Sequence, residues 1–210
     1  MKNVFINEHP IVQDRLTKLR NKATRPKTFR QCLNDIALFL SIDATKNLPI
    51  YQKTIETPLE ETDGTLLEEV NPLIVPILRA GLALSDSMQT VIPNADTGHI
   101  GLYRDHDTHE PHEYLNRLPE DLDRPIFVVD PMLATGGSMI ATLDILIESG
   151  AKASNITIVT LLCAPEGIEA LRKGYPDIAV YTAAIDSHLN ENAYIVPGLG
   201  DAGDRYFGTL

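Results

Sequence analysis

The segment Ile126–Ser138, Ile-Phe-Val-Val-Asp-Pro-Met-Leu-Ala-Thr-Gly-Gly-Ser, restricts what this chain can fold into more than any other stretch. Its first four residues, Ile126 to Val129, are apolar without alternation. That is the pattern of a strand covered on both faces of a parallel sheet. Asp130 and Pro131 stop the strand. Ala134-Thr135-Gly136-Gly137-Ser138 follows, then a helical segment from Met139 to Ser149 that Gly150 closes. A strand, an acidic residue, a Gly-rich turn and a helix together make an anion site. The turn N–H groups and the helix N-terminus converge on one point. Gly136 and Gly137 let a phosphate approach the backbone, Thr135 and Ser138 add hydroxyl donors, and Asp130 can accept hydrogen bonds from two vicinal hydroxyls. The combination describes a site for a ribose 5-phosphate. The plainer alternative for the turn by itself is a βα connection that happens to hold two glycines.

The remaining chain reads as alternating strands and helices. A first helix spans Ile11 to Arg20, with Ile11, Val12, Leu16 and Leu19 on one side. Thr24-Arg25-Pro26 interrupts it. In the second helix Phe29, Cys32, Leu33, Ile36, Ala37 and Leu40 recur at three- and four-residue steps, which makes one apolar stripe for a core or a subunit interface. Tyr51–Thr57 and Thr65–Glu69 are weaker strand candidates around the turn signal Asp63-Gly64, and pair as an arm beside the main sheet. Leu73–Leu78 is a strongly apolar strand that runs into Arg79-Ala80-Gly81 and a short helix from Leu82 to Thr90. Arg79 stands at the carboxyl end of a strand, where open α/β sheets keep ligand groups. Its guanidinium can hold a diphosphate through paired hydrogen bonds. A surface arginine after a strand is the alternative. His99–Tyr103 is the next strand, ended in the same way by Arg104. Ile156–Leu162, a helix from Pro165 to Gly174, and Ala179–Ile185 complete the alternation, with Arg172 on an exposed helix face. Strands alternating with helices imply right-handed crossovers and a mainly parallel sheet flanked by helices. The chain has 210 residues, enough for one α/β domain over 1–210.

Two motifs mislead. His106, His109 and His112 recur every third residue among carboxylates in the segment 104–117, a composition that suits zinc. Pro111 spoils a continuous helix, however, and the spacing is not the i, i+4 pair of a helical zinc motif. The segment reads as a solvated, flexible loop. Gly198-Leu199-Gly200-Asp201-Ala202-Gly203 is a literal G-x-G-x-x-G, but a dinucleotide fold needs a helix and a strand after it, and seven residues follow Gly203. Those glycines instead expose backbone N–H and C=O groups to a small flat ligand, with Asp201 supplying one charge.

Val128–Ser138 resembles the 5-phosphoribosyl diphosphate (PRPP) motif of type I phosphoribosyltransferases. Most of that superfamily has two acidic residues after the strand. Here Pro131 takes the second place, as in uracil phosphoribosyltransferases. Pro76-Ile-Leu-Arg-Ala-Gly81 resembles the diphosphate loop of that family, and Tyr194–Thr209 resembles its uracil-binding end. The resemblance runs from Lys27 to Thr209. It implies a type I phosphoribosyltransferase-like α/β fold with a flexible hood loop over the PRPP site and a C-terminal base-binding segment. It implies that PRPP meets Arg79, Arg104, Asp130, Pro131, Met132, Leu133, Ala134, Thr135, Gly136, Gly137, Ser138 and Asp201. Arg79 and Asp130 are then the catalytic pair, uracil falls at Ile195, Gly200, Asp201 and Ala202, and Asp201 lies near Mg²⁺. The implied product is UMP, from an enzyme of pyrimidine salvage. The family is often dimeric or tetrameric, and some members are activated by GTP.

Two alternatives on the same fold stay open: a pyrimidine-nucleotide-responsive RNA-binding regulator and a purine phosphoribosyltransferase. A net charge of −11 opposes the first, because a nucleic-acid footprint needs a basic face. No apolar run approaches a membrane span. Met1–Pro10 has no signal-peptide core, and Cys32 and Cys163 read as reduced core thiols of a cytoplasmic protein.

Overall fold

The computed structural model describes residues 2–68, 71–104 and 111–209. A short strand β1 (Val4–Ile6) precedes helices α1 (Pro10–Arg20) and α2 (Pro26–Thr45) and a hairpin of β2 (Ile50–Glu56) and β3 (Glu61–Leu67). Then come β4 (Leu73–Leu78), α3 (Leu82–Val91), β5 (Asp96–Thr97), β6 (His99–Arg104) and β7 (Pro111–Arg117). The second half holds β8 (Ile126–Val129), β9 (Met132–Leu133), α4 (Gly137–Glu148), a 3₁₀ turn at Ala153–Asn155, β10 (Ile156–Cys163), α5 (Pro165–Gly174) and β11 (Ala179–Ile185). A small hairpin of β12 (His188–Leu189) and β13 (Ile195–Val196) leads to the last helix, α6 (Ala202–Phe207).

The central sheet runs β1-β11-β10-β8-β4-β6-β7, with β5 beside β4 and β9 beside β10. All of its pairs are parallel except β6 with β7. From β4 the chain crosses through α3 to β6 on one side. From β8 it crosses through α4 to β10 and through α5 to β11 on the other. The order therefore reverses between β4 and β8, which is where open α/β sheets form a crevice. Alternate residues of each strand enter opposite cores. Ile74, Phe127, Val129, Val159 and Tyr181 pack with the α1–α2–α3 layer, around Phe29, Leu33, Ile36 and Leu40 of the expected stripe. Leu73, Val75, Ile126, Val128, Ile158 and Val180 pack with Leu143 and Leu146 of α4 and Ile168 and Leu171 of α5. Burial on both faces is why these strands read as continuous apolar runs.

Three expectations change. The arm is a separate antiparallel hairpin, but Gly64 lies inside β3 opposite Lys53. The turn is Thr57–Glu60, where the Thr57 hydroxyl accepts the N–H groups of Leu59 and Glu60 and the Thr57 N–H donates to the Glu60 carbonyl. A hydroxyl-closed turn with Pro58 in it displaces the Asp-Gly signal. The segment 104–117 is not all loop: 111–117 forms an antiparallel edge strand on β6, whose first residue is a place where proline is tolerated. Arg172 is not on an exposed face. It is half-buried and donates to the carbonyls of Asn3, Tyr175 and Ile178, tying β1 to the end of α5.

Cys32 and Cys163 are free and buried. Burial pushes the Cys163 thiol up to about 12 and raises that of Cys32 as well. Since the thiolate is the reactive form, iodoacetamide at about pH 8 is expected to leave both cysteines of the native protein unmodified and to label both after unfolding in guanidinium. Mass spectrometry that finds a labelled cysteine on the folded chain would contradict this packing.

Candidate active site

The carboxyl ends of β4 and β8 open into a cleft of about 490 Å³. One wall is Asp130, Pro131, Met132, Ala134 and Ser138, and the other is Ile195, Gly200, Asp201, Ala202 and Gly203. The first wall begins where β8 ends. Met132 and Leu133 pair with Leu162 and Cys163 of β10, which carries the backbone out to the turn. Gly136 sits at φ +86°, the left-handed region that favours glycine, and it is the cap residue of α4. The cap residue itself makes no side-chain bond, and the first turn holds no acidic residue. The Thr135 hydroxyl accepts the Gly137 N–H at 3.4 Å, and the next N–H groups of the turn face the anion position beside the Ser138 hydroxyl.

Helix α5 sets the position of this turn. A Cβ on Gly167 would meet the Leu133 carbonyl oxygen at 2.7 Å and the Ala134 carbonyl oxygen closer still. The adjacent Glu166 carboxylate accepts the Leu189 N–H at 2.9 Å, a bond that holds its carboxyl below the usual range. The first turn of α5 thus touches the Gly-rich turn and the β12–β13 hairpin at once.

The second wall comes from the tail. In the β12–β13 hairpin the Asn190 side-chain oxygen accepts the N–H groups of Asn192 and Tyr194, and Ala193 adopts φ +61°. The Leu78–Arg79 and Val196–Pro197 peptides, one beside each wall, are cis. Asp201 caps α6 by accepting the Asp204 N–H at 2.8 Å and also lines the cleft. Gly203 faces Ala80, where a Cβ would rest 3.7 Å from the Ala80 Cβ, so the tail closes against the loop after β4.

Nine of the residues assigned from sequence line this one cleft: Asp130, Pro131, Met132, Ala134, Ser138, Ile195, Gly200, Asp201 and Ala202. Thr135, Gly136 and Gly137 form the turn behind it. Leu133 departs from the assignment: its side chain is 1% exposed and belongs to the core. Arg79 is exposed just outside the wall, its guanidinium 5.9 Å from the Phe207 ring centroid. Arg104 ends β6, and its side chain, like His106 and His109, lies outside the described residues. His112 stacks on Tyr103 at 5.4 Å, and the described residues contain no group of three metal-ligating side chains. Ala80, Tyr194 and Gly203 also line the wall, from segments that the sequence marked, and sequence reasoning missed Leu102, Asn192 and Ala193. Asn190–Asn192 is a polar turn signal that pointed to the hairpin, but nothing local placed it over β8.

A mainly parallel sheet with a Gly-rich turn at its switch point is the architecture that this chain shares with solved type I phosphoribosyltransferases. A purine phosphoribosyltransferase from Pyrococcus horikoshii shares the fold, with a TM-score of 0.51 at 15% identity over 74% of this chain and 84% of that one. A solved protein of Aquifex aeolicus matches far better, with a TM-score of 0.90 at 31% identity over 97% of each chain. The family model for uracil phosphoribosyltransferase matches residues 6–209. A uracil phosphoribosyltransferase of Dictyoglomus turgidum is 53% identical over 207 residues, covering 98% of this chain and 99% of the relative. The chain belongs to the uracil phosphoribosyltransferase family.

Gly167→Ala is expected to force the phosphate turn away from α5 and to destabilise the fold by roughly 1–3 kcal/mol, the usual cost of overpacking. Chemical denaturation compared with wild type measures it, and an unchanged midpoint would mean that the close approach is not enforced.

Proposed function

We propose that this chain, as a single domain, transfers the 5-phosphoribosyl group from PRPP to uracil, giving UMP and diphosphate. The observation that carries the proposal is the union, in one cleft, of the Gly-rich turn beside Asp130 with the backbone of Gly200–Gly203. The turn N–H groups and the Ser138 hydroxyl suit the 5-phosphate, and Asp130 suits the two ribose hydroxyls. Arg79 and Arg104, at the ends of neighbouring strands, suit the diphosphate that leaves as the C1′–O bond breaks. The new bond joins C1′ to uracil N1, whose proton passes to water or to the departing diphosphate. No His or Glu lines the cleft among the described residues, so rate enhancement rests on positioning and on electrostatic stabilisation of the leaving group.

Asp130 and Asp201 offer hard oxygen donors to the same cleft, too few for an all-protein metal cage. That donor set fits Mg²⁺, which keeps waters and binds largely through substrate phosphates. When bound, Mg²⁺ would neutralise diphosphate charge. The same reading takes the protein as a cytoplasmic homodimer or homotetramer, with GTP as a candidate effector. Self-association is supported by the exposed Ile50, Ile55, Leu66 and Leu67 of the β2–β3 hairpin. The RNA-binding and purine alternatives are not favoured by relatives that share the whole chain with this one.

The first test mixes the protein with PRPP, Mg²⁺ and each free base and follows diphosphate release. Uracil presents O4 as an acceptor and N3–H as a donor, whereas cytosine reverses both. Two buried mismatches against fixed backbone groups are expected to put cytosine ~10²–10⁴-fold below uracil in kcat/KM. Equal use of the two bases would remove the base site from the tail. Asp130→Asn is expected to lower kcat/KM roughly ten- to a hundredfold by weakening the charge-assisted bonds to the ribose. Wild-type kinetics in that variant would take Asp130 out of the site. Arg79→Lys keeps the charge and loses the planar fork, so the PRPP KM is expected to rise while the uracil KM holds.

A further inference from the structure

The base-side wall is a strap of main chain, and its outer face is held by an ion pair that does not line the cleft. Asp186 follows β11 directly, with its side chain 4% exposed. Both carboxylate oxygens are met by Arg20, the last residue of α1, at 2.6 and 2.7 Å. The same pair also takes both backbone polar groups of Gly198. Asp186 accepts the Gly198 N–H at 2.8 Å, and Arg20 donates to the Gly198 carbonyl at 2.9 Å. Gly198 stands at φ +56°, where a Cβ would collide with the carbonyl group of Ile195, so the strap can turn sharply at this point only as glycine. One residue on, Arg205 donates to the Leu199 carbonyl at 2.7 Å and to the carbonyls of Leu19 and Asn21.

We infer that Arg20 and Asp186 are positioning residues for the base: they set the height of the Gly198–Gly200 backbone, and through it the groups of Gly200–Ala202 that face the ligand. This inference rests on the base lying at the tail, as proposed above. The phosphate wall hangs from different supports, β8, β10 and the first turn of α5. Loosening the ion pair therefore acts mainly on the base, and on PRPP only through Asp201. The Arg20 guanidinium is the right tool, because a planar fork meets two carboxylate oxygens and a carbonyl in fixed directions, whereas an ammonium is a point charge with no such preset geometry. A purely architectural pair would behave differently: losing it would lower the melting temperature and the active fraction but leave both KM values alone.

Arg20→Lys and Asp186→Asn, measured with full steady-state kinetics in both substrates, separate these cases. Arg20 is a quarter exposed, so Arg20→Lys keeps the test available where Asp186→Asn does not fold. The uracil KM is expected to rise roughly tenfold in Arg20→Lys, with a much smaller change in the PRPP KM, because small misplacements of fixed groups are costly. In Arg20→Ala, added guanidinium at low millimolar concentration is expected to bring the uracil KM back down, and methylammonium is not. A PRPP KM that rises in parallel, or a fall in melting temperature with both KM values unchanged, overturns the inference. Ala202→Val, which crowds the proposed ring plane, separates the two levels. If it raises the uracil KM while Arg20→Lys does not, the base site stands and the positioning role is wrong. If it leaves the uracil KM unchanged, the base site is misplaced and the inference falls with it.

Discussion

Leu73–Pro76 of β4 lie in register with Ile126–Val129 of β8, which lie in turn beside Ile156–Val159 of β10. Because these pairs are parallel, Arg79, Asp130 and the start of α5 all emerge at one edge of the sheet. The crossovers leave β4 and β8 in opposite directions, so no helix covers the edge between them, and a cleft remains. Arg79 and Asp130 are thus each held at the end of a strand whose own residues are buried on both faces. Rigid support of that kind is what a mechanism based on positioning requires.

The tail is supported differently, without a buried strand of its own length. Arginines hold it by its carbonyls: Arg20 at Gly198, Arg205 at Leu199, and Arg30 at Tyr206. Arg205 also lies 4.5 Å over the Phe29 ring, which joins the tail to the main apolar layer. Burial lowers the guanidinium pKa of Arg205 and of Arg172, yet an arginine stays charged and keeps donating. In a chain with a net charge of −11, much of the arginine set is therefore internal fastening and not surface charge. An acidic protein can still meet a phosphate in this way, through main-chain N–H groups and a few rim cations, with no basic face.

The strands β4, β8, β10 and β11 and the helices α2 and α5 were legible in the sequence because each buries a stripe or a whole face, and burial writes a period into the residues. The turn was legible for a related reason, since Gly136 and Gly137 answer a backbone requirement that few residues meet. Short pieces were not. β1, β9, β12, β13 and α6 have two to six residues each, too few for a period, and tertiary pairing makes them. Asp63-Gly64 carried a valid local signal that a hydroxyl-closed turn overrode. Arg172 looked like a surface residue because its three carbonyl partners lie outside its own helix or at its very end.

By itself the sequence determined the alternation of strands and helices, the turn with its flanking Asp130, and the glycines that expose the tail backbone. These are local properties, set by side-chain volume, polarity and the φ that a residue tolerates. Only the tertiary structure decided that the turn and the tail face each other across one cleft, and that Leu133 turns inward while Ala193 and Tyr194 turn toward the ligand space. It alone joined Arg20 to Asp186, which are 166 residues apart, around the backbone of Gly198. The physical reason is that sheet order and the pairing of charges across distant segments depend on chain crossovers, which no local pattern of residues records.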